Sequence, residues 1–233
     1  MTDSPTVLPM KNRPQPGRES IQGSDRLTVL SHPLADVLVT TLRDVSTPAR
    51  EFEMAIHELT RMLLWRAIAD EPRKGRPIRG FDGREIEGSS FARNLASLII
   101  LRAGLGMLPP VRLLIPEAPN YQLGIKRDEM TLESRLYFSN LPENLDKLQH
   151  MLLLDPMLAT GGSAQLAVEQ IRTRYSGEIS FLGTIGAPVG VQTLLNSDSR
   201  IRIYLAALDD RLNDHGYIVP GLGDAGDRLF GTN

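Results

Sequence analysis

The chain has 233 residues, 41% hydrophobic and 23% charged, with a formal net charge of −2; this balance suits one large α/β domain and argues against a general polyanion binder. Cysteine is absent, which removes disulfides and thiolate metal sites and fits a reducing, cytoplasmic setting. No apolar run reaches the ~20 residues that a membrane span needs, and the N-terminus lacks the apolar core of a signal peptide.

Residues 1–26 carry Pro5, Pro9, Pro14 and Pro16 among polar and charged neighbours. That composition predicts a disordered tail, with the folded domain over 27–233. The first strong helix is expected over 48–69, with Thr47 as N-cap and Pro48 at the first helical position, where its missing N–H costs nothing. Phe52, Ala55, Ile56, Leu59 and Leu63 recur at helical spacing and should face inward. Residues 71–90 mix prolines, glycines and charges, which suggests turns and short edge strands without setting a register.

From there, apolar runs at 97–101, 121–125, 151–154, 179–185 and 201–205 alternate with glycine-rich turns or helix-like segments. This is the rhythm of a mainly parallel sheet flanked by helices. Segment 131–142 has no helical period and contains Tyr137 and Phe138, so a projecting β-arm is expected there.

The segment that bears most on chemistry runs from Met151 to Ser163 and reads as strand, glycine turn and helix start. Asp155 ends the strand at the sheet edge where open α/β sheets bind ligands, placed to accept hydrogen bonds from ribose hydroxyls. Gly161 and Gly162 permit a tight turn, so that backbone N–H groups and the Thr160 and Ser163 hydroxyls can converge on a phosphate. By itself the same string also fits an ordinary strand-to-helix turn capped by Ser163. Arg102 follows an apolar run and precedes Gly104 and Gly106, as a guanidinium aimed at an anion would, or as a surface arginine would. Arg127 lies in a mixed charge run whose plain reading is a solvated loop. The four histidines lack metal spacing, and none stands out as a general base. Asp227 and Arg228 are expected to form a local ion pair.

Taken whole, 151–163 resembles the phosphoribosyl-pyrophosphate motif of type I phosphoribosyltransferases. The form is that of the uracil phosphoribosyltransferases, in which Pro156 stands where most of the superfamily has a second acidic residue. Two further strings resemble that family in the same order, 100–107 and 216–232, and the similarity extends over about 30–233. The resemblance implies a type I phosphoribosyltransferase-like α/β fold and transfer of phosphoribose from phosphoribosyl pyrophosphate to uracil, giving UMP and pyrophosphate.

It implies that Asp155, Pro156, Met157, Leu158, Ala159, Thr160, Gly161, Gly162 and Ser163 bind ribose and 5-phosphate, and that Arg102 and Arg127 meet the pyrophosphate. Ile218, Gly223, Asp224 and Ala225 would form the uracil end, with Asp224 also reaching the phosphoribosyl substrate. Asp155, Asp224 and Arg102 would carry the catalysis. Mg2+ is the implied cofactor, held mainly by substrate and water, and a homodimer or homotetramer is the implied assembly, with neither nucleic acid nor membrane as partner. The chain departs from the family at Leu38, Ile99, Lys126 and Ser134. Two other readings share the fold: a nucleotide-sensing RNA-binding regulator, for which the short Arg73, Lys74, Arg76 cluster offers little basic surface, and an inactive paralogue.

Overall fold

The computed structural model describes residues 21–127 and 134–232. In chain order these form β1 (Leu27–Val29), α1 (Pro33–Arg43), α2 (Ala49–Ala67), β2 (Arg73–Arg79), β3 (Glu85–Phe91), β4 (Leu95–Leu101), α3 (Leu108–Leu114), β5 (Asn120–Arg127) and β6 (Ser134–Ser139). Then come β7 (His150–Leu154), β8 (Met157–Leu158), α4 (Gly162–Arg172), β9 (Glu178–Gly186), α5 (Pro188–Ser197), β10 (Arg202–Leu208), β11 (Arg211–Leu212), β12 (Ile218–Val219) and α6 (Ala225–Phe230). No helix among the described residues is long and apolar enough to cross a membrane.

The main sheet runs β1-β10-β9-β7-β4-β5-β6, parallel except for β6, and β8 extends it beside β9. Side chains alternate across a strand, and both faces here are buried. Leu98, Ile100, Met151 and Leu153 pack under α4 and α5, whereas Ile99, Leu152 and Leu154 pack under α1, α2 and α3. Near-continuous apolar runs are what a two-sided parallel strand requires. Ile99 has no exposed surface, so this departure from the family lies in the core.

Helix α2 presents Phe52, Ala55, Ile56, Leu59 and Leu63 inward, as their spacing predicts. Its N-cap is Pro48, in extended backbone, one residue later than expected. The Thr47 hydroxyl instead donates to the Thr41 carbonyl at 2.7 Å, tying the turn back to α1. Helix α1 was not anticipated; His32 Nδ1 caps it by accepting from Leu34 N, with Pro33 in its first turn.

Two differences concern the ends and edges. Residues 1–20 of the expected tail lie outside the described residues, but 21–26 are packed: Ile21 joins the core, and Arg26 donates to the Asp198 carbonyl at 2.8 Å. Of the expected arm, 131–133 lie outside the described residues, and Ser134–Ser139 is the antiparallel edge of the main sheet. Two ribbons form small sheets of their own among the described residues, β11–β12 and the longer β2–β3, with every β2 residue exposed. The base of that β2–β3 ribbon is clamped to the starts of β7 and β9. Glu71 meets buried His150 at 2.6 Å, His150 meets Ser180 at 2.8 Å, and Arg93 pairs with Glu178.

Candidate active site

Strand β4 lies between β5 and β7. The chain leaves β4 for β5 on one side and later returns to β7 on the other, so the C-terminal ends of β4 and β7 flank a topological switch point, where open α/β sheets hold ligands. A cleft of about 850 Å³ opens there, lined by Arg102 after β4, Asp155 to Ser163 in part, Lys126 of β5, and the 213–226 segment.

The phosphate-binding candidate is built from the sheet outward. Asp155 follows β7 directly, and the Pro156 carbonyl is fixed to β9 by Thr184, whose N–H donates at 2.9 Å and hydroxyl at 2.7 Å. Met157 and Leu158 then resume pairing beside β9. Gly161 turns the chain into α4 with φ +85°, and a Cβ there would stand 2.8 Å from the Gly190 carbonyl oxygen, so glycine is needed both for conformation and for space. The N-cap Gly161 has no side chain to offer α4; the Thr160 hydroxyl accepts from Gly162 N at a long 3.4 Å, and Ser163, the cap in the plain reading of this string, lies inside the helix with its hydroxyl 3.3 Å from that of Ser134. A glycine N-cap leaves the other first-turn N–H groups and the positive end of the helix dipole toward the cleft.

Burial pushes the Asp155 carboxyl up to about 7; the Met157 N–H opposes this, and the nearby Asp224 carboxylate adds to it. Two carboxylates facing one cleft form a hard oxygen donor set of the kind that suits Mg2+. Asp224 is the N-cap of α6, its Oδ1 accepting from Asp227 N at 3.0 Å.

Arg102 follows a cis Leu101–Arg102 peptide. Its side chain is 56% exposed and its Nη2 lies 3.0 Å from Asp227 Oδ1. Asp227 therefore pairs with Arg102, and the expected Asp227–Arg228 pair does not form. Arg228 lies over the Phe52 ring at 4.2 Å, and donates to the carbonyls of Leu222 at 2.9 Å, Asp44 at 2.7 Å and Leu42.

The 209–226 loop owes its shape to a group that the sequence reading missed. Asp209, 3% exposed, accepts from Gly221 N at 2.9 Å and takes both ends of the Arg43 guanidinium; Arg43 Nη1 also donates to the Gly221 carbonyl at 2.9 Å. Gly221 and Gly223, at φ +66° and +80°, turn the backbone toward the cleft.

Of the residues singled out from sequence, Arg102, Asp155, Met157, Leu158, Ala159, Thr160, Gly161, Ser163, Ile218, Gly223 and Asp224 line this cleft. Pro156, Gly162 and Ala225 are not in its lining, and Pro156 and Ala225 are buried. The Arg127 side chain lies outside the described residues. Lys126, Tyr137 and Tyr217 line the cleft without having been singled out as ligands. Tyr137 is brought in because Gly124 has no side chain beneath its ring.

Switch-point cleft, glycine turn into a helix and strand-end carboxylate are the equipment of a phosphoribosyltransferase fold. An adenine phosphoribosyltransferase from Leishmania donovani shares that fold at TM-score 0.53 and 15% identity, with 84% of this chain and 89% of that one covered. A solved protein from Aquifex aeolicus superposes at TM-score 0.82 with 37% identity, over 88% of this chain and 97% of its own. Residues 29–232 match the sequence model of uracil phosphoribosyltransferase. A uracil phosphoribosyltransferase of Roseiflexus sp. (strain RS-1) is 45% identical over 211 residues, 89% of this chain and 99% of the relative. The chain belongs to the uracil phosphoribosyltransferase family.

Proposed function

We propose that the chain joins uracil to phosphoribosyl pyrophosphate, forming UMP and releasing pyrophosphate. The observation that carries this is the meeting, in one cleft, of a glycine-capped α4 start, the Asp155 and Asp224 carboxylates, Arg102 and the glycine-bent 216–226 loop.

The 5-phosphate sits on the turn 159–163, where backbone N–H groups and the Thr160 and Ser163 hydroxyls receive it. Asp155 accepts from the ribose hydroxyls, Met157 and Leu158 line the path between, and Pro156, Gly162 and Ala225 shape the walls. Arg102 and Arg127 take the pyrophosphate. Bond breaking at the anomeric carbon leaves a cationic ribose and an anionic leaving group, so charge placement is the chemical task. Asp155 and Asp224 answer the first and the arginines the second. Magnesium, when bound, would be held by Asp155 and Asp224, largely through water, and would neutralise charge on the pyrophosphate.

Uracil presents acceptor, donor and acceptor along one edge. The backbone near Ile218, Gly223, Asp224 and Ala225 can match that edge with amide and carbonyl groups, whereas cytosine would leave buried groups unpaired. Incubating the protein with phosphoribosyl pyrophosphate and each common nucleobase, with pyrophosphate release as readout, tests the proposal. Release with uracil alone is expected; release with another base in its place, or with none, refutes it.

A further inference from the structure

Arg102 is half exposed, and an exposed arginine side chain samples many rotamers, so something must aim it if it is to meet a leaving group in one geometry. Helix α6 lies against the turn that carries Arg102. Gly106 gives way to Leu229 of α6: a Cβ there would be 2.7 Å from Leu229 Cδ1. Gly226 in turn lies open to Arg102, its absent Cβ 3.8 Å from Nη2. On that backing, Asp227 Oδ1 receives Arg102 Nη2 at 3.0 Å and the Thr232 hydroxyl at 2.6 Å. The Thr232 hydroxyl and Arg102 hold the Asp227 carboxyl below its ordinary range, so the partner offered to Arg102 is a carboxylate.

We propose that Asp227 is a positioning residue, braced by Thr232, that orients the Arg102 guanidinium toward the pyrophosphate. The Nη1–Nη2 edge of the planar group is held by the carboxylate at 3.0 Å and, more loosely, by the Thr232 hydroxyl at 3.5 Å, which leaves the Nε side for phosphate oxygens. Helix α6 then serves both ends of the cleft, because its N-cap Asp224 faces the ribose and base side while its next acidic residue aims the arginine of the leaving-group side.

On the phosphoribosyl-transfer reading, on which this rests, Asp227→Asn is expected to lower kcat/KM for phosphoribosyl pyrophosphate about tenfold, leaving the KM for uracil within about twofold. In an Arg102→Gln background the same change should have no further effect, because the group it positions is gone. Thr232→Val, which leaves the carboxylate but removes its brace and the longer contact to Arg102 Nη1, should give a smaller loss in the same parameter. Equal losses from Asp227→Asn in both backgrounds, a loss confined to uracil, or wild-type behaviour would each overturn the proposal. If Asp227→Asn fails to fold, Thr232→Val carries the test, and its wild-type behaviour overturns the proposal equally. A parallel titration with inorganic pyrophosphate alone separates this idea from the reaction itself. A protein that makes no UMP from uracil should still bind pyrophosphate more weakly as Asp227→Asn, if Asp227 aims Arg102, and unchanged affinity refutes it.

Discussion

Asp155→Asn should make the protein more stable and less able to bind phosphoribosyl pyrophosphate, both in a pH-dependent way. Burial raises the Asp155 carboxyl from 3.8 to about 7, a rise of roughly three pH units, so ionising it in the folded protein costs about 4 kcal/mol more than in the unfolded chain. The folded state therefore holds the extra proton between these two values, and stability falls as pH rises through the window, then levels off above 7. Asparagine keeps the shape without the charge, and its urea unfolding free energy should exceed that of the wild type at pH 8 by up to about 4 kcal/mol while matching it near pH 4. Substrate has the opposite preference, because ribose hydroxyls donate to a carboxylate. About nine-tenths of Asp155 is protonated at pH 6 and about one-tenth at pH 8, so wild-type affinity should be roughly tenfold weaker at the lower pH. Calorimetric titration of both proteins across this range subtracts the substrate's own ionisation. Identical pH profiles for unfolding or binding in the two proteins would refute the assignment of this strained charge to Asp155.

Arg102→Lys keeps a charge but loses the planar fork, so KM for phosphoribosyl pyrophosphate should rise while that for uracil holds; steady-state kinetics with each substrate varied decides it. Asp209→Asn breaks the buried Arg43 pair and should lower the urea unfolding free energy by about 3 kcal/mol, with KM for uracil rising more than KM for the other substrate. Gly190→Ala would place a Cβ 2.6 Å from the Leu158 carbonyl oxygen. The α5 contact must open, lowering stability by about 1–3 kcal/mol and weakening inorganic phosphate binding, measurable by thermal unfolding and calorimetry.

The strands β4, β7, β9 and β10 were legible because each is buried on both faces and so runs apolar without interruption. The glycine turn after Asp155 was legible for a related reason, since only glycine can take φ +85° against the Gly190 carbonyl. The β2–β3 ribbon gave no register because it buries neither face, and alternation encodes register only where one face is buried. Helix α1 escaped notice because its cap is a histidine and its interior holds Val37, Val39, Thr40 and Thr41, poor helix formers that tertiary packing overrides. Pairs such as Arg43 with Asp209 and Arg102 with Asp227 join residues 166 and 125 apart. Local spacing carries no trace of them, so the sequence alone pairs Asp227 with its neighbour Arg228.

The tie between Arg43 and Asp209, with the Arg228 bonds to the carbonyls of Leu42 and Asp44, bears on how this scaffold could be given a new base preference. The 159–163 turn belongs to the sheet and would stay behind in any exchange. The 209–226 loop is moored to the last turn of a helix near the other end of the chain, so a transplanted loop would arrive without its footing. The portable unit is discontinuous: the loop, α6 and the end of α1 must be moved together, and libraries that vary the loop alone would sample mostly misplaced backbones.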